Sequence, residues 1–247
     1  MLVPEGKGET RGGTEPGDLG AMTKAVKSLL RQVAVAAAIG AVVGALRLRG
    51  HALPALPAHL GFSLGMRLSL VLWLLFSIYW ALAAKDSAPT RSSESVWSRQ
   101  LHLVLVNAAL LLLVLPVPGL TWRFLPANPF LVADGLMTQA SFILFAVWAR
   151  RHLGSNWSGE VRVADGHQLV RSGPYRFLRH PIYTAVLGMY CGTALVSGEI
   201  HAPLALLLVT LAYWRKIRLE ERALGEAFGA EHEAYRRHTW ALIPGVY

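Results

Sequence analysis

Apolar residues gather into six runs, at about 26–46, 68–84, 101–120, 131–149, 181–197 and 202–214, each bounded by polar or charged stretches. Such runs predict membrane-spanning helices, and several fall short of the roughly 20 residues that cover a hydrocarbon core. Tryptophan and arginine at segment ends lengthen a short span by settling at the interface. Trp73, Trp80, Trp97, Trp122, Trp148 and Trp214 stand within or near such ends. In the first run Gly40 and Gly44 are spaced for close helix contact, and the third stops at Pro116 and Pro118. Only "GEIHA" separates the fifth run from the sixth, which leaves room for nothing but a tight antiparallel helical hairpin.

The polar stretches carry their own signals. Residues 1–20, rich in Gly, Pro and charge, predict a disordered cytoplasmic tail without the apolar stretch of a signal peptide. Between the fourth and fifth runs Val161 and Val163 alternate with polar residues and Asp165-Gly166 offers a two-residue turn, so a short irregular hairpin is expected there. Ser172-Gly173-Pro174 turns the chain again. Beyond the sixth run the chain continues as a helix carrying Glu220 and Glu221. "AFGAEHEAYRR" then reads as a second, amphipathic helix packing Phe228 and Tyr235. Asp134 is expected to cap the fourth segment. The fold class is therefore all-α, a polytopic integral membrane protein of about six transmembrane helices, divided into a tail (1–20), N-terminal spans (21–130) and a core (131–247).

Composition agrees: 53% of residues are hydrophobic and 16% charged, against roughly 45–50% and about 25% in soluble domains. The net charge of +9 does not point to nucleic acid, because the basic residues are split among loops rather than gathered on one polar domain. Anionic lipid headgroups are the expected partners, with Arg150 and Arg151 as inner-leaflet anchors. Lys and Arg crowd the loop 150–180 and the stretch after 214 but are missing from 198–201, which places loop and tail together on the cytoplasmic side. Arg47, Arg49 and Arg67 run against that topology. Cys191, the single cysteine, lies within an apolar run and reads as a small buried hydrophobe, so no disulfide or cysteine-based metal site is expected.

The candidate chemistry lies in "SGPYRFLRHPIYTAV", residues 172–186. Proline suits the first turn of a helix, so Pro181 starts the fifth span and puts His180 beside free backbone N–H groups that can receive a carboxylate. The hairpin of the last two spans returns Glu220 and Glu221 to the face of His180 and Tyr183. Taken singly, His180 and Tyr183 could be interfacial anchors, and Glu220-Glu221 a solvated charge pair balanced by Arg218 and Arg222. Asn156 and Trp157 could pack the loop or, for Trp157, stack on a ligand. A different class of function, a haem- or metal-binding membrane protein, would rest on His102 and His201, which belong to different spans on opposite sides. A transporter would be expected to show repeats, broken helices or mid-membrane charges, of which the spans contain little.

"GHQLVRSGPYRFLRHPIY" and "EERALGEAFGAEHEAYRR" followed by "IPG", with "LGSNWSG" upstream, resemble the isoprenylcysteine carboxyl methyltransferase family of integral membrane enzymes, which also contains phospholipid and small-thiol methyltransferases. The likeness covers about residues 145–247. It implies an S-adenosylmethionine pocket on the cytoplasmic side, made by the last two helices with their flanking loop and tail. In it Glu160, His167, Gln168, Leu169 and Val170 would contact the cofactor, Tyr175 would wall it, and His180, Pro181, Ile182 and Tyr183 would form a second contacting segment. Glu220 would be the acidic contact, with Glu221 beside it. The resemblance implies a lipophilic acceptor entering sideways from the bilayer. The namesake reaction is carboxyl O-methylation of an isoprenylcysteine-like substrate, and phospholipid amines and small thiols are the alternative acceptors. Where eukaryotic members carry an arginine for the substrate carboxylate this chain has Lys216, flanked by Arg215 and Arg218. A lysine neutralises a carboxylate without the two-pronged grip of a guanidinium.

Overall fold

The computed structural model describes residues 63–83, 94–154 and 169–246. Nearly all belong to one compact unit, Leu53–Tyr79 with Asp86–Tyr247. A second unit, Met1–Ala52 with Trp80–Lys85, contributes only the last turn of the first described helix. Six α-helices occur among the described residues: α1 (Leu64–Ala83), α2 (Val96–Val114), α3 (Pro129–Leu153), α4 (Pro181–Ser197), α5 (His201–Phe228) and α6 (Ala230–Arg237). One turn of 3₁₀ helix spans Gly173–Arg176. The first apolar run, with Gly40 and Gly44, and the hairpin expected around Asp165-Gly166 lie outside the described residues.

Local chemistry explains the helix boundaries. Ser95 caps α2 by accepting from the Ser98 N–H at 3.2 Å, which starts that helix ahead of its apolar run, and Pro116 and Pro118 follow its end at Val114. Asn128 caps α3, its side chain accepting from Phe130 N at 2.8 Å with Pro129 in the first turn. Asp134, expected in that role, sits a turn further on and is exposed, because the proline had already fixed the start. Pro181 opens α4 as expected. The turn into α5 uses Gly198 at φ 63°, the left-handed region that favours glycine. Phe124 N donates to Gly198 O at 3.0 Å, and Arg123 donates to Ser197 O at 2.8 Å.

By length and composition α1, α2 and α3 can each cross a membrane, whereas α4 is apolar but only 17 residues long. Leu74 of α1, Val104 of α2, Leu144 of α3 and Leu207 of α5 are exposed, as lipid-facing positions are. α4 is the core, packed against α3 on one side and α5 on the other, and α2 runs along α5. The α3–α4 contact depends on glycine: a Cβ on Gly192 would come within 2.6 Å of Gly135 O, and one on Gly135 within 2.6 Å of Gly192 O. Small residues let apolar helices approach closely where lipid supplies no hydrophobic drive between them.

Inside this packing, α1, α3 and α4 share a polar knot. Ser69 Oγ donates to Gln139 Oε1 at 2.7 Å, Gln139 Nε2 donates to Ser69 O at 3.1 Å, and Trp73 Nε1 donates to Thr193 Oγ1 at 3.0 Å. Trp73 is thus a core residue and not an interfacial one, since its indole N–H is matched there. Cys191, expected in the core, is exposed: it falls on the outward face of α4.

Candidate functional site

The site lies where α4 begins and where α5 runs past its apolar half. The 3₁₀ turn brings the chain into α4, and residues 177–180 are held by a C-terminal strap. Trp240 N donates to Phe177 O at 3.1 Å, Arg179 N to Trp240 O at 2.8 Å, and His180 N to Ala241 O at 3.1 Å. Thr184 Oγ1 adds a bond to Leu242 O at 2.7 Å, and Tyr235 of α6 donates to Tyr175 O at 2.6 Å. These bonds fix the backbone of His180 at the start of α4.

Its imidazole meets both glutamates of α5, Nδ1 lying 3.3 Å from Glu220 Oε2 and Nε2 3.0 Å from Glu221 Oε1. Tyr183 OH donates a short bond to Glu220 Oε1. Arg179 Nε donates to Glu221 Oε1 at 2.7 Å, and Arg236 Nε reaches Glu221 Oε2 at 3.0 Å. His232 of α6 is buried nearby, its Nε2 4.0 Å from Glu221 Oε2. The adjacent glutamates therefore differ in their surroundings. Glu221 is saturated by three positively charged or polar partners, whereas Glu220 is held by Tyr183 and His180 and keeps 19% of its side chain exposed. Burial raises the pKa of Glu221, but hydrogen bonds from His180 and Arg179 outweigh it and bring the group down to about 2. Burial lowers the pKa of His180, and its bonds to Glu220 and Glu221 more than reverse this, leaving it raised.

Aromatic rings extend the cluster into the apolar layer. His180 stacks on Tyr183 with centroids 5.6 Å apart and planes 7° apart, and Tyr183 stacks on Tyr213 of α5 at 4.5 Å. Tyr175 is buried beneath the entry turn, with His152 of α3 stacked on it at 6.5 Å.

The structure thus brings together His180, Tyr183, Glu220 and Glu221, with Tyr175 buried in the entry turn just ahead of them. Pro181 and Ile182 are buried in packing, so any contact they make to a ligand runs through backbone. Leu169 and Val170 are half-buried just ahead of the turn, while Glu160, His167, Gln168, Asn156 and Trp157 lie outside the described residues. Lys216 and Arg215 are committed elsewhere: Lys216 Nζ bonds Glu94 at 2.6 Å, and Arg215 donates to Ser98 Oγ at 2.7 Å. Arg218 lies over the Trp214 ring at 4.2 Å. Arg150, expected to anchor at headgroups, is instead buried and donates to Gly154 O at 2.8 Å, while Arg151 is exposed. His201 bonds Leu112 O at 2.8 Å, ten residues along α2 from His102, about 15 Å at the helical rise, so the two cannot ligate one haem iron or metal ion.

Sequence reasoning passed over Arg179, Arg236, Tyr213, Glu94 just ahead of α2 and Ser98 in it, and weighed His102 of α2 only as a haem or metal ligand. The last three had a legible signal, polar residues every four positions at the start of an apolar helix.

A family model described as phospholipid methyltransferase matches residues 130–231. A probable protein-S-isoprenylcysteine O-methyltransferase of Oryza sativa subsp. indica is 32% identical over 99 residues, covering 38% of this chain and 50% of that protein. The protein-S-isoprenylcysteine O-methyltransferase of Dictyostelium discoideum is 29% identical over 100 residues, 38% of this chain and 41% of its own. The cobalt-zinc-cadmium resistance protein CzcN of Cupriavidus metallidurans is 31% identical over 165 residues, covering 65% of this chain and 68% of that protein. The chain spans about half or less of the length of these two O-methyltransferases. All three alignments, like the family match, exceed the length of any one motif.

Proposed function

This chain belongs to the isoprenylcysteine carboxyl methyltransferase family of membrane proteins, and from that premise we propose that it transfers a methyl group from S-adenosylmethionine to a lipophilic acceptor. One observation carries the reading: the two motifs of the family likeness, some forty residues apart in sequence, converge in the His180–Tyr183–Glu220–Glu221 cluster. Bound S-adenosylmethionine supplies an activated methyl group on a sulfonium, together with an ammonium, a carboxylate, a ribose diol and adenine.

The residues fit those groups. Glu220, partly exposed and oriented by Tyr183 and His180, receives the ammonium or the ribose hydroxyls as a charge-assisted acceptor. The stacked Tyr183 and Tyr213 rings provide the electron-rich surface that a sulfonium or adenine prefers. The family likeness would add Leu169 and Val170, and from outside the described residues Glu160, His167 and Gln168, to the donor's contacts. Glu221 does not contact the ligand; it holds Arg179, His180 and Arg236 in place. The chain's task is to align acceptor and methyl group and exclude water, and no covalent enzyme intermediate is involved.

The distribution of basic residues supports a membrane arrangement to match. We place the cluster on the cytoplasmic side of a multi-pass protein, where exposed Arg151, Arg176, Arg222 and Arg237 meet anionic headgroups. The acceptor enters from the lipid and the donor from water. A carboxylate acceptor, the namesake of the family, would depend on a cation of α5, with Lys216 the matched position.

Titration calorimetry of S-adenosylmethionine and S-adenosylhomocysteine against the detergent-purified protein tests the proposal. Saturable binding of both is expected. Binding of neither, in protein whose helices are intact by circular dichroism, would overturn it.

A further inference from the structure

The cation on which a carboxylate acceptor would depend already has a carboxylate. Glu94 Oε2 lies 2.6 Å from Lys216 Nζ, and only 2% and 3% of the two side chains are exposed. The other Glu94 oxygen accepts from Ser98 Oγ at 2.7 Å, and Ser98 in turn binds Arg215 through Oγ and its carbonyl. Removing one member of such a pair would strand a buried charge, so an incoming acceptor has little prospect of displacing Glu94. Lysine also lacks the forked geometry that could hold two carboxylates side by side.

Two turns further along the same face of α2 stands His102. It lies edge-on to Tyr213 with centroids 5.5 Å apart, and the charges acting on it are those of Lys216, Glu220 and Glu94. Nδ1 of its ring is buried with no hydrogen-bond partner. A neutral imidazole carries a proton on one nitrogen and a lone pair on the other, and with the proton on Nε2 the unpartnered Nδ1 offers its lone pair. A carboxylate acceptor would have no use for that lone pair, since it is ionised already. A thiol or an amine must lose a proton as it is methylated.

We propose, resting on the methyl-transfer reading, that Glu94 sets acceptor specificity: it occupies Lys216, so carboxylates are not held there, and the acceptor is a lipophilic thiol or amine whose proton passes to His102. In the step the acceptor's lone pair forms the new bond to the methyl carbon. The electrons of the broken carbon–sulfur bond stay on the donor sulfur, which becomes a neutral thioether. The acceptor's proton goes to Nδ1 of His102, which becomes an imidazolium that the charges of Glu220 and Glu94 favour and that of Lys216 opposes.

The full-length protein in lipid nanodiscs, with methyl-labelled donor, is offered dodecanethiol, phosphatidylethanolamine and N-acetyl-S-farnesylcysteine. S-adenosylhomocysteine binding and farnesylcysteine binding are measured calorimetrically on the same preparation. Methylation of the thiol or of the amine is expected, the two arms deciding which, with neither binding nor methylation of the farnesylcysteine carboxylate. Glu94→Gln should gain farnesylcysteine binding at unchanged S-adenosylhomocysteine affinity. His102→Gln should lose about a hundredfold in turnover on the protic acceptor and remove the acid limb of its pH profile. Methylation of farnesylcysteine by the wild-type protein, in preference to both other acceptors, overturns the assignment whether or not the variants fold. Absence of S-adenosylhomocysteine binding overturns the methyl-transfer reading itself.

Discussion

Glu220 and Glu221 are adjacent in sequence and chemically alike, and their partners separate them. Glu220→Gln removes the negative charge that faces the pocket while leaving an acceptor for Tyr183. Hydrogen bonds to charged groups are worth about 1.5–3 kcal/mol, so S-adenosylhomocysteine affinity is expected to fall at least tenfold with little change in the melting temperature in detergent. Glu221→Gln should do the reverse. It leaves Arg179 and His180, both largely buried, without their counter-charge, and unfolding in detergent should move down by several degrees. Equal thermal losses in the two variants would contradict this division of roles. The same residues set a pH window. The depressed pKa of Glu221 means its stabilisation is complete above the ordinary carboxylate range and lost as pH falls toward about 2. The raised pKa of His180 means its stabilisation is complete below the ordinary histidine value and lost as pH rises through the folded-state value. Thermal stability should therefore peak in mildly acidic to neutral buffer and decline on both sides, with the alkaline decline absent in His180→Gln.

At the level of elements, the α3–α4 crossing is the most sensitive place in the fold. A side chain at Gly192 would collide with the backbone of α3 at Gly135. Gly192→Val is expected to cost about 1–3 kcal/mol or more, read as a lower melting temperature and weaker S-adenosylhomocysteine binding, because α4 also carries Tyr183 at its start. The helices themselves were legible in the chain: the runs at 131–149 and 181–197 became α3 and α4, since a long apolar stretch bounded by proline or glycine has few alternatives. Asp134 was misread as a cap because an acidic residue near a helix start resembles one, and only the geometry of Asn128 shows which residue faces the free N–H groups. The convergence of His180 with Glu220 was legible from the short turn between α4 and α5. The commitment of Lys216 was not. Its partner Glu94 is more than a hundred residues away, and nothing in a single sequence states which face of α2 meets α5.

For the molecule as a whole, the site is closed by a segment that belongs to none of the helices. Residues 239–242 run beside 177–180 and supply the carbonyls that orient Arg179 and His180. A chain stopped after Arg237 should keep its helical content by circular dichroism, since α1 to α6 are complete, yet lose S-adenosylhomocysteine binding. Retained affinity would mean that Glu220 and Tyr183 suffice alone. The strap also has a meaning in time. A ribosome that has reached Arg237 has made every described helix and almost every polar group of the cluster, while His180 and Arg179 still lack the backbone partners that fix them. On the methyl-transfer reading, affinity for the donor would therefore arise late in synthesis, within the span of a few residues, and nascent chains that have already built their helices would not yet compete for it.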